Sequence, residues 1–215
     1  MTTTAILVDG GFYRKRSGII WGKKSPMERA DELMTYCMNH LKDDNERRTL
    51  YRIFYYDCPP LNKKLYHPFH KKEVDVGNSA QFKWMTDFLD ALKTKRKVAL
   101  RLGNLAEGQA HFSLKSEAVR RLCNGVLCVD KFDENDFFLE VSQKGVDMKI
   151  GIDIASMSYK KQVNQIVLIS GDSDFVPAAK LARREGIDFI LDSMRATIRA
   201  DLSEHIDGLK TWVPR

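Results

Sequence analysis

Asp172 and Asp174 stand one residue apart in Ser170-Gly171-Asp172-Ser173-Asp174-Phe175, directly after the apolar run Ile166-Val167-Leu168-Ile169. Asp9 follows a second such run, Ala5-Ile6-Leu7-Val8, and precedes Gly10 and Gly11. Asp147 sits where a third pattern opens, Lys144-Gly145-Val146-Asp147. Carboxylates gathered at one edge repel one another unless protons or cations neutralise them. Their hard oxygens select Mg2+ or Mn2+ over zinc, with no Cys/His cluster in competition. Such ions could activate water and stabilise the leaving oxygen in phosphodiester hydrolysis. Each aspartate taken singly is explained equally well as a helix cap or a turn residue. The argument for chemistry rests on all of them reaching the same place.

The sequence supplies elements that would bring them there. A run that is apolar at every position and rich in β-branched residues is a strand buried on both faces, as in the middle of a parallel sheet. Residues 165–169 end at Ser170-Gly171, a helical pattern follows from Phe175 to Glu185, and Gly186 occupies the C-cap position. Asp172 and Asp174 then fall at the carboxyl end of a central strand, where open α/β sheets bind their ligands. Asp9 ends the first strand in the same way. Val146, Ile150, Ile154 and Met157 recur at helical spacing, which predicts a helix to about Tyr159 with Asp147 in its first turn. Asp153 is six residues further on and cannot share a face with Asp147, which gives it a supporting role. Asp9 and Asp172 are the expected direct ligands. Asp147 either ligates or orients water, Asp174 ligates directly or through water, and Ser170 either bonds the scissile phosphate or holds the turn.

Along the rest of the chain, Ser25-Pro26-Met27-Glu28 is a capping box, opening a helix expected to bury Met27, Ala30, Leu33, Met34, Cys37 and Leu41. Residues 50–56 and 97–102 are further strands, and Asp57-Cys58-Pro59-Pro60 breaks the former. Ser79 caps a helix carrying Phe82, Met85, Phe88, Leu89 and Leu92. Residues 61–78 have the composition of a loop, and residues 106–140 give no clear pattern. A last strand covers residues 187–191, and Ile198, Leu202 and Ile206 mark a final amphipathic helix. Strands alternating with helices predict an α/β fold with a mainly parallel sheet. No repeat or linker divides residues 1–215, so a single domain with a basic middle region at about 61–141 is expected.

The charge is unevenly placed. The net +6 conceals 13 basic against 6 acidic side chains in residues 59–121, and 12 against 15 in residues 122–215. One surface that attracts a polyanion beside another that collects carboxylates suits a nucleic-acid substrate. Lys63, Lys64, Lys71 and Lys72 interleave with Tyr66, His67, Phe69 and His70, as expected for contacts to a single strand through phosphates and stacked bases. Arg14, Lys15 and Arg16 follow Asp9 closely and form a second phosphate-contacting candidate. His67-x-x-His70 is a poor metal signal without cysteines at matching spacing, and Cys123-x4-Cys128 lacks a second pair. The four cysteines are too sparse for a disulfide framework, and no leader or membrane-length apolar run is present, which predicts a cytoplasmic protein. Homo-oligomerisation is left open.

Val8-Asp9-Gly10-Gly11-Phe12, Lys144-Gly145-Val146-Asp147 and Ser170-Gly171-Asp172-Ser173-Asp174-Phe175-Val176-Pro177 together resemble, in order and separation, three signature blocks of the NYN (LabA-like) branch of PIN-domain nucleases. The resemblance implies a three-layer PIN-like fold and metal-dependent ribonuclease activity. It maps the family's acidic residues onto Asp9, Asp147, Asp172 and Asp174. Two other classes fail on single residues. A dinucleotide enzyme needs G-x-G-x-x-G after the first strand, and an aspartyl-phosphate phosphatase needs an aspartate where Gly11 stands. A non-catalytic RNA-binding or protein-interaction module on the same fold is the remaining alternative.

Overall fold

The computed structural model describes residues 1–42 and 47–213. Its centre is a six-stranded parallel sheet built from β1 (Thr2–Asp9), β2 (Arg48–Asp57), β5 (Val98–Leu102), β10 (Gln165–Ile169), β11 (Asp188–Asp192) and β12 (Gly208–Leu209), in the order β12-β11-β10-β1-β2-β5. β10 is buried at every position, as its unbroken apolar run requires. Alternate residues of β1 serve opposite faces. Ala5 and Leu7 join Ile150, Ile154, Phe175 and Ala179 on one side, from α5 (Val146–Tyr159) and the segment leading into α6 (Val176–Arg184). Ile6 and Val8 pack on the other side with Tyr13, Leu33 and Phe88, from α1 (Gly10–Trp21), α2 (Pro26–Asn39) and α3 (Ala80–Lys93). Helix, sheet and helix make the three layers of a PIN-like α/β fold.

Local signals set the helix boundaries. The Ser25/Glu28 capping box forms in full, and Ser79 caps α3 by accepting from the Phe82 amide at 3.1 Å. Gly145 adopts a left-handed φ of 80° immediately before α5, and Gly186 a φ of 77° after α6. Three expectations need correction. Met27 is exposed, because it lies in the first turn of α2, beyond the sheet's reach; Tyr36 and Arg29 join the buried set on that helix instead. The final helix shrinks to one turn, α7 (Ala200–Ser203), and only Leu202 of its predicted stripe is fully buried. Residues 61–78 are structured, with β3 (Lys64–His67) and β4 (Lys72–Asp75) pairing as an antiparallel hairpin.

The hairpin belongs to a small second layer of structure at the carboxyl edge of the sheet. There β6 (Asn104–Leu105) pairs β9 (Gln143–Lys144), and β7 (His111–Leu114) pairs β8 (Phe137–Glu140), with α4 (Ser116–Cys123) between β7 and β8. Leu61, Leu65 and Ala110 form its core, with Phe112, Leu139 and Val141 packed around them. This layer follows directly on the ends of β2 and β5, so the basic middle of the chain emerges at the same edge as the strand-end acids.

Two buried carboxylates lock that edge. Asp192 accepts from Tyr36 Oη at 2.5 Å and the Met194 amide at 2.7 Å, and pairs with His40 Nε2 at 2.8 Å, joining α2 to β11. Asp57 is held by both nitrogens of the Arg14 fork, at 2.9 and 3.1 Å, and accepts from Tyr55 Oη at 3.0 Å and the Cys58 amide at 2.8 Å. Gly10 must be glycine here for space, since a Cβ would lie 2.5 Å from Asp57 Oδ2 and 2.6 Å from the Tyr55 hydroxyl. Alanine is the better helix former by about 1 kcal/mol, yet overpacking against a buried aromatic costs roughly 1–3 kcal/mol. Gly10→Ala is therefore expected to lower the melting temperature by a few °C, about 2–4 °C per kcal/mol for a chain of this size. Calorimetry checks this, and an unchanged or raised Tm would contradict the crowding.

Candidate active site

The parallel register pairs Val8 with Ile169, so the residues that follow each strand, Asp9 and Ser170, meet. Ser170 Oγ donates to Asp9 Oδ2 at 3.1 Å, and the Phe12 amide donates to Asp9 Oδ1 at 3.0 Å. Asp9 is thus the N-cap of α1 and also has its second oxygen fixed in orientation. Ser170 is fully buried and its Oγ also accepts from the Asp172 amide at 3.3 Å, a turn-holding role. Asp172 caps the following 3-10 turn, Ser173–Phe175, with Oδ1 accepting from the Asp174 amide at 3.0 Å. Asp147 lies in the first turn of α5, and Asp147, Asp172 and Asp174 are all exposed to solvent.

The charges act on one another. Burial pushes the Asp9 carboxyl above the ordinary value of 3.8; the Phe12 amide and Ser170 hydroxyl pull it down, and the charges of Asp147 and Asp57 push it up. Desolvation raises Asp147 above 3.8, and the charges of Asp172 and Asp174 add to the rise. The four aspartates named from the sequence therefore share one electrostatic environment, linked through Asp147 to Asp9 on one side and to Asp172 and Asp174 on the other. Asp153 is engaged elsewhere, accepting from Tyr56 Oη at 2.8 Å and Arg101 Nε at 3.0 Å.

Asp9, Phe12, Ser170, Gly171, Asp172 and Ser173 line an open cleft of about 400 Å³, with a wall of Ala196, Thr197 and Arg199 from the segment after β11; Asp147 and Asp174 do not line it. Gly171 is required by the Phe12 ring, which a Cβ would approach to 2.8 Å. The facing wall carries no sequence signal, because it comes from the irregular segment after β11. The donor set suits a hard divalent ion. Among the described residues, however, the one trio of potential ligand groups meeting within 4.8 Å is His67, His70 and Glu134, and none of the four aspartates belongs to it. The aspartates are spaced more openly than a closed cage. A small ion that keeps part of its water shell fits such spacing, since only one or two carboxylates then bind it directly.

The cations expected to contact nucleic acid are placed as follows. Arg14 is committed to Asp57, Arg16 Nη2 donates to the Met194 carbonyl at 2.7 Å, and Lys15 is exposed. Lys64, Lys71 and Lys72 are exposed on the β3–β4 hairpin, and Lys63 Nζ donates to the Glu107 carbonyl at 2.9 Å. No helix is long and apolar enough to cross a membrane among the described residues.

Comparison with known proteins finds one family similarity and one similar solved structure. The NYN domain family model matches residues 110–207, so that part of the chain is similar to an NYN domain. The matched span contains Asp147, Asp172 and Asp174; Asp9 lies outside it and joins them through the β1–β10 register. No curated protein matches. A crystal structure of a protein of unknown function from Vibrio parahaemolyticus is similar over 97% of this chain and 91% of its own, at 12% identity and a TM-score of 0.46.

The raised value at Asp147 gives a signed pH prediction. A carboxyl whose folded pKa lies above its unfolded one favours folding below the unfolded value, and that contribution is lost as pH rises through the folded value. In metal-free protein at pH 7, Asp147→Asn is accordingly expected to raise Tm. Solvent screening at this exposed position limits the gain to about 2 °C. The difference from wild type should vanish as pH falls below the ordinary 3.8. Melting curves across pH check it; a lower Tm for the variant at pH 7 would mean that helix-dipole attraction outweighs the repulsion.

Proposed function

We propose that this protein is a divalent-metal-dependent endoribonuclease that hydrolyses RNA phosphodiester bonds, with Mg2+ or Mn2+ held among Asp9, Asp147, Asp172 and Asp174. The observation that carries this reading is the shared field at the sheet edge: burial first, and neighbouring carboxylates in addition, raise the Asp9 and Asp147 carboxyls, with no cation paired to either among the described residues. By contrast, the equally strand-terminal Asp57 has its own arginine. A bound divalent ion would supply positive charge to the scissile phosphate and acidify water beside it.

The chain's own groups would do the remainder. Ser170 and the Phe12 amide orient the Asp9 oxygens, so that carboxylate is preorganised before anything binds. Gly171 lets the Phe12 ring pack closely beside the Ser170-Gly171-Asp172 turn. Asp147 would ligate the ion or orient the attacking water, whose proton passes to solvent. The water oxygen bonds to phosphorus, one ester P–O bond breaks, and the leaving oxygen departs with a proton from solvent. Arg199 lines the cleft, ion-paired with Asp201 at 3.1 Å, and would add positive charge for the substrate's phosphate. Single-stranded RNA would run from the cleft toward Lys63, Lys64, Lys71 and Lys72, with Lys15 nearby, in a cytoplasmic setting. Arg14 and Arg16 would support that surface by fixing α1.

Incubation of single-stranded RNA, duplex RNA and DNA with protein and Mn2+, against EDTA controls, tests the reading. Asp9→Asn and Asp172→Asn should each lose at least about 100-fold in Mn2+-dependent cleavage, while Asp153→Asn should lose less than about tenfold. Wild-type protein that binds RNA without cutting it would leave the non-catalytic module as the answer.

Binding is tested separately. Alanine at Lys63, Lys64, Lys71 and Lys72 together should weaken RNA binding. It should also flatten the slope of log K against log salt by up to about 3, at about 0.7 per phosphate contact on a single strand. An unchanged slope would move the binding surface elsewhere.

A further inference from the structure

His67 ends β3 with its ring packed among aromatic groups, 4.2 Å from the Phe112 centroid and 5.5 Å from that of Phe137. The residue is 4% exposed, and its Nδ1 is closed from solvent with no hydrogen-bond partner. A buried, unpaired imidazole nitrogen costs free energy unless something else occupies it. The turn joining β3 to β4 folds back over this ring. Lys71 takes a left-handed φ of 52°, its amide donates to the His67 carbonyl at 2.9 Å, and the His70 ring comes to rest 4.6 Å from that of His67. Glu134 arrives from the opposite side of the insertion on a 3-10 turn. That turn is fixed by Asp133 and Asp136, whose carboxylates accept from the Asn135 and Asp133 amides at 2.6 and 3.0 Å. His70 Nε2 and Glu134 Oε1 are 3.5 Å apart, and one ligand atom from each of the three residues lies within 4.8 Å of the others.

We propose that His67, His70 and Glu134 form a zinc site that ties the β3–β4 hairpin to the segment before β8. Two imidazoles and one carboxylate are the donor types that suit zinc, whereas Mg2+ and Mn2+ prefer oxygen ligands alone. With bonds of about 2.1 Å, a tetrahedral site has edges of about 3.4 Å. The His70–Glu134 separation already matches such an edge, and side-chain rotation closes the rest. Three protein ligands leave the fourth position to water. Stacked aromatics with a surface ion pair would account for the ring packing and the His70–Glu134 approach. They leave the enclosed His67 nitrogen unexplained, and zinc supplies its partner. The site is separate from the aspartates and from Cys123 and Cys128, which are exposed and free.

Zinc titration of the metal-stripped full chain by calorimetry, with elemental analysis after dialysis, tests this. One zinc per chain is expected, with a rise in Tm on binding that millimolar Mg2+ does not reproduce. Glu134→Gln should weaken zinc at least about tenfold and His70→Gln should abolish stoichiometric binding. Glu134→Gln changes an exposed side chain and should melt like wild type without zinc, which separates loss of the site from loss of the fold. The Cys123→Ser/Cys128→Ser double variant and Asp172→Asn should both keep the metal. No stoichiometric zinc, unchanged affinity in Glu134→Gln, or loss of zinc in the cysteine or Asp172 variants would overturn the assignment. None of these readouts depends on RNA cleavage.

Discussion

The parallel pairing of β1 with β10 is the constraint on which the rest of the site depends. Both strands are apolar on both faces and neither can slip by a residue without driving its core side chains onto the wrong helical layer. The register that satisfies the two cores sets Val8 against Ile169. It follows that Asp9 and Ser170, 161 residues apart in sequence, are within hydrogen-bond distance at the edge. The Asp9 carboxylate and the Ser170-Gly171-Asp172 turn are thereby placed by hydrophobic packing several residues away. Parallel sheets concentrate strand ends in this way, and the same edge receives the N-terminus of α5 with Asp147.

Charge at that edge is settled in two different ways. Asp57 and Asp192 are fully desolvated, and each is surrounded by donors: Arg14 and Tyr55 for one, Tyr36 and His40 for the other. A buried carboxylate without such partners would cost several kcal/mol, so these contacts are a condition of folding. Asp9, Asp147, Asp172 and Asp174 receive amide and hydroxyl donors at most. Burial, with neighbouring carboxylates adding to it, raises the pKa of Asp9 and Asp147, and no cation offsets the charge among the described residues. That contrast between satisfied and unsatisfied acids, within one sheet edge, distinguishes the two sets of aspartates more sharply than strand position does.

The insertion that emerges from the ends of β2 and β5 has its own small core and only short strands. Leu61, Leu65 and Ala110 bury little apolar surface, so ties among its segments matter more there than in the main sheet. The convergence of His67, His70 and Glu134 draws together a hairpin and a 3-10 turn that also meet through Phe69, Phe112 and Phe137. The hairpin also carries the exposed Lys64, Lys71 and Lys72, so its rigidity bears on how a polyanion would be held above the sheet edge.

The central strands, the Ser25/Glu28 capping box, the Ser79 cap and the span of α5 were all legible in the sequence. Each rests on interactions within about four residues or on a strict apolar pattern. The strand-end aspartates were legible for the same reason, since the strands that carry them announce their own ends. Residues 61–78 were not, because a hairpin whose strands carry exposed lysines has no clean alternation, and its pairing was decided by contact with β7. Nor was the exposure of Met27, which depends on where α2 meets the sheet. The partner of Arg14 was hidden because Asp57 lies 43 residues away, at the end of a different strand. Glu134 stands far from His67 and His70 in the chain, so no local spacing could show that the three converge. Sequence determined which segments become strands and helices and which carboxylates end them, because those are local free energies. Tertiary structure alone decided which acids are neutralised by a cation and which are left facing one another, because that depends on distances between elements that no local pattern encodes.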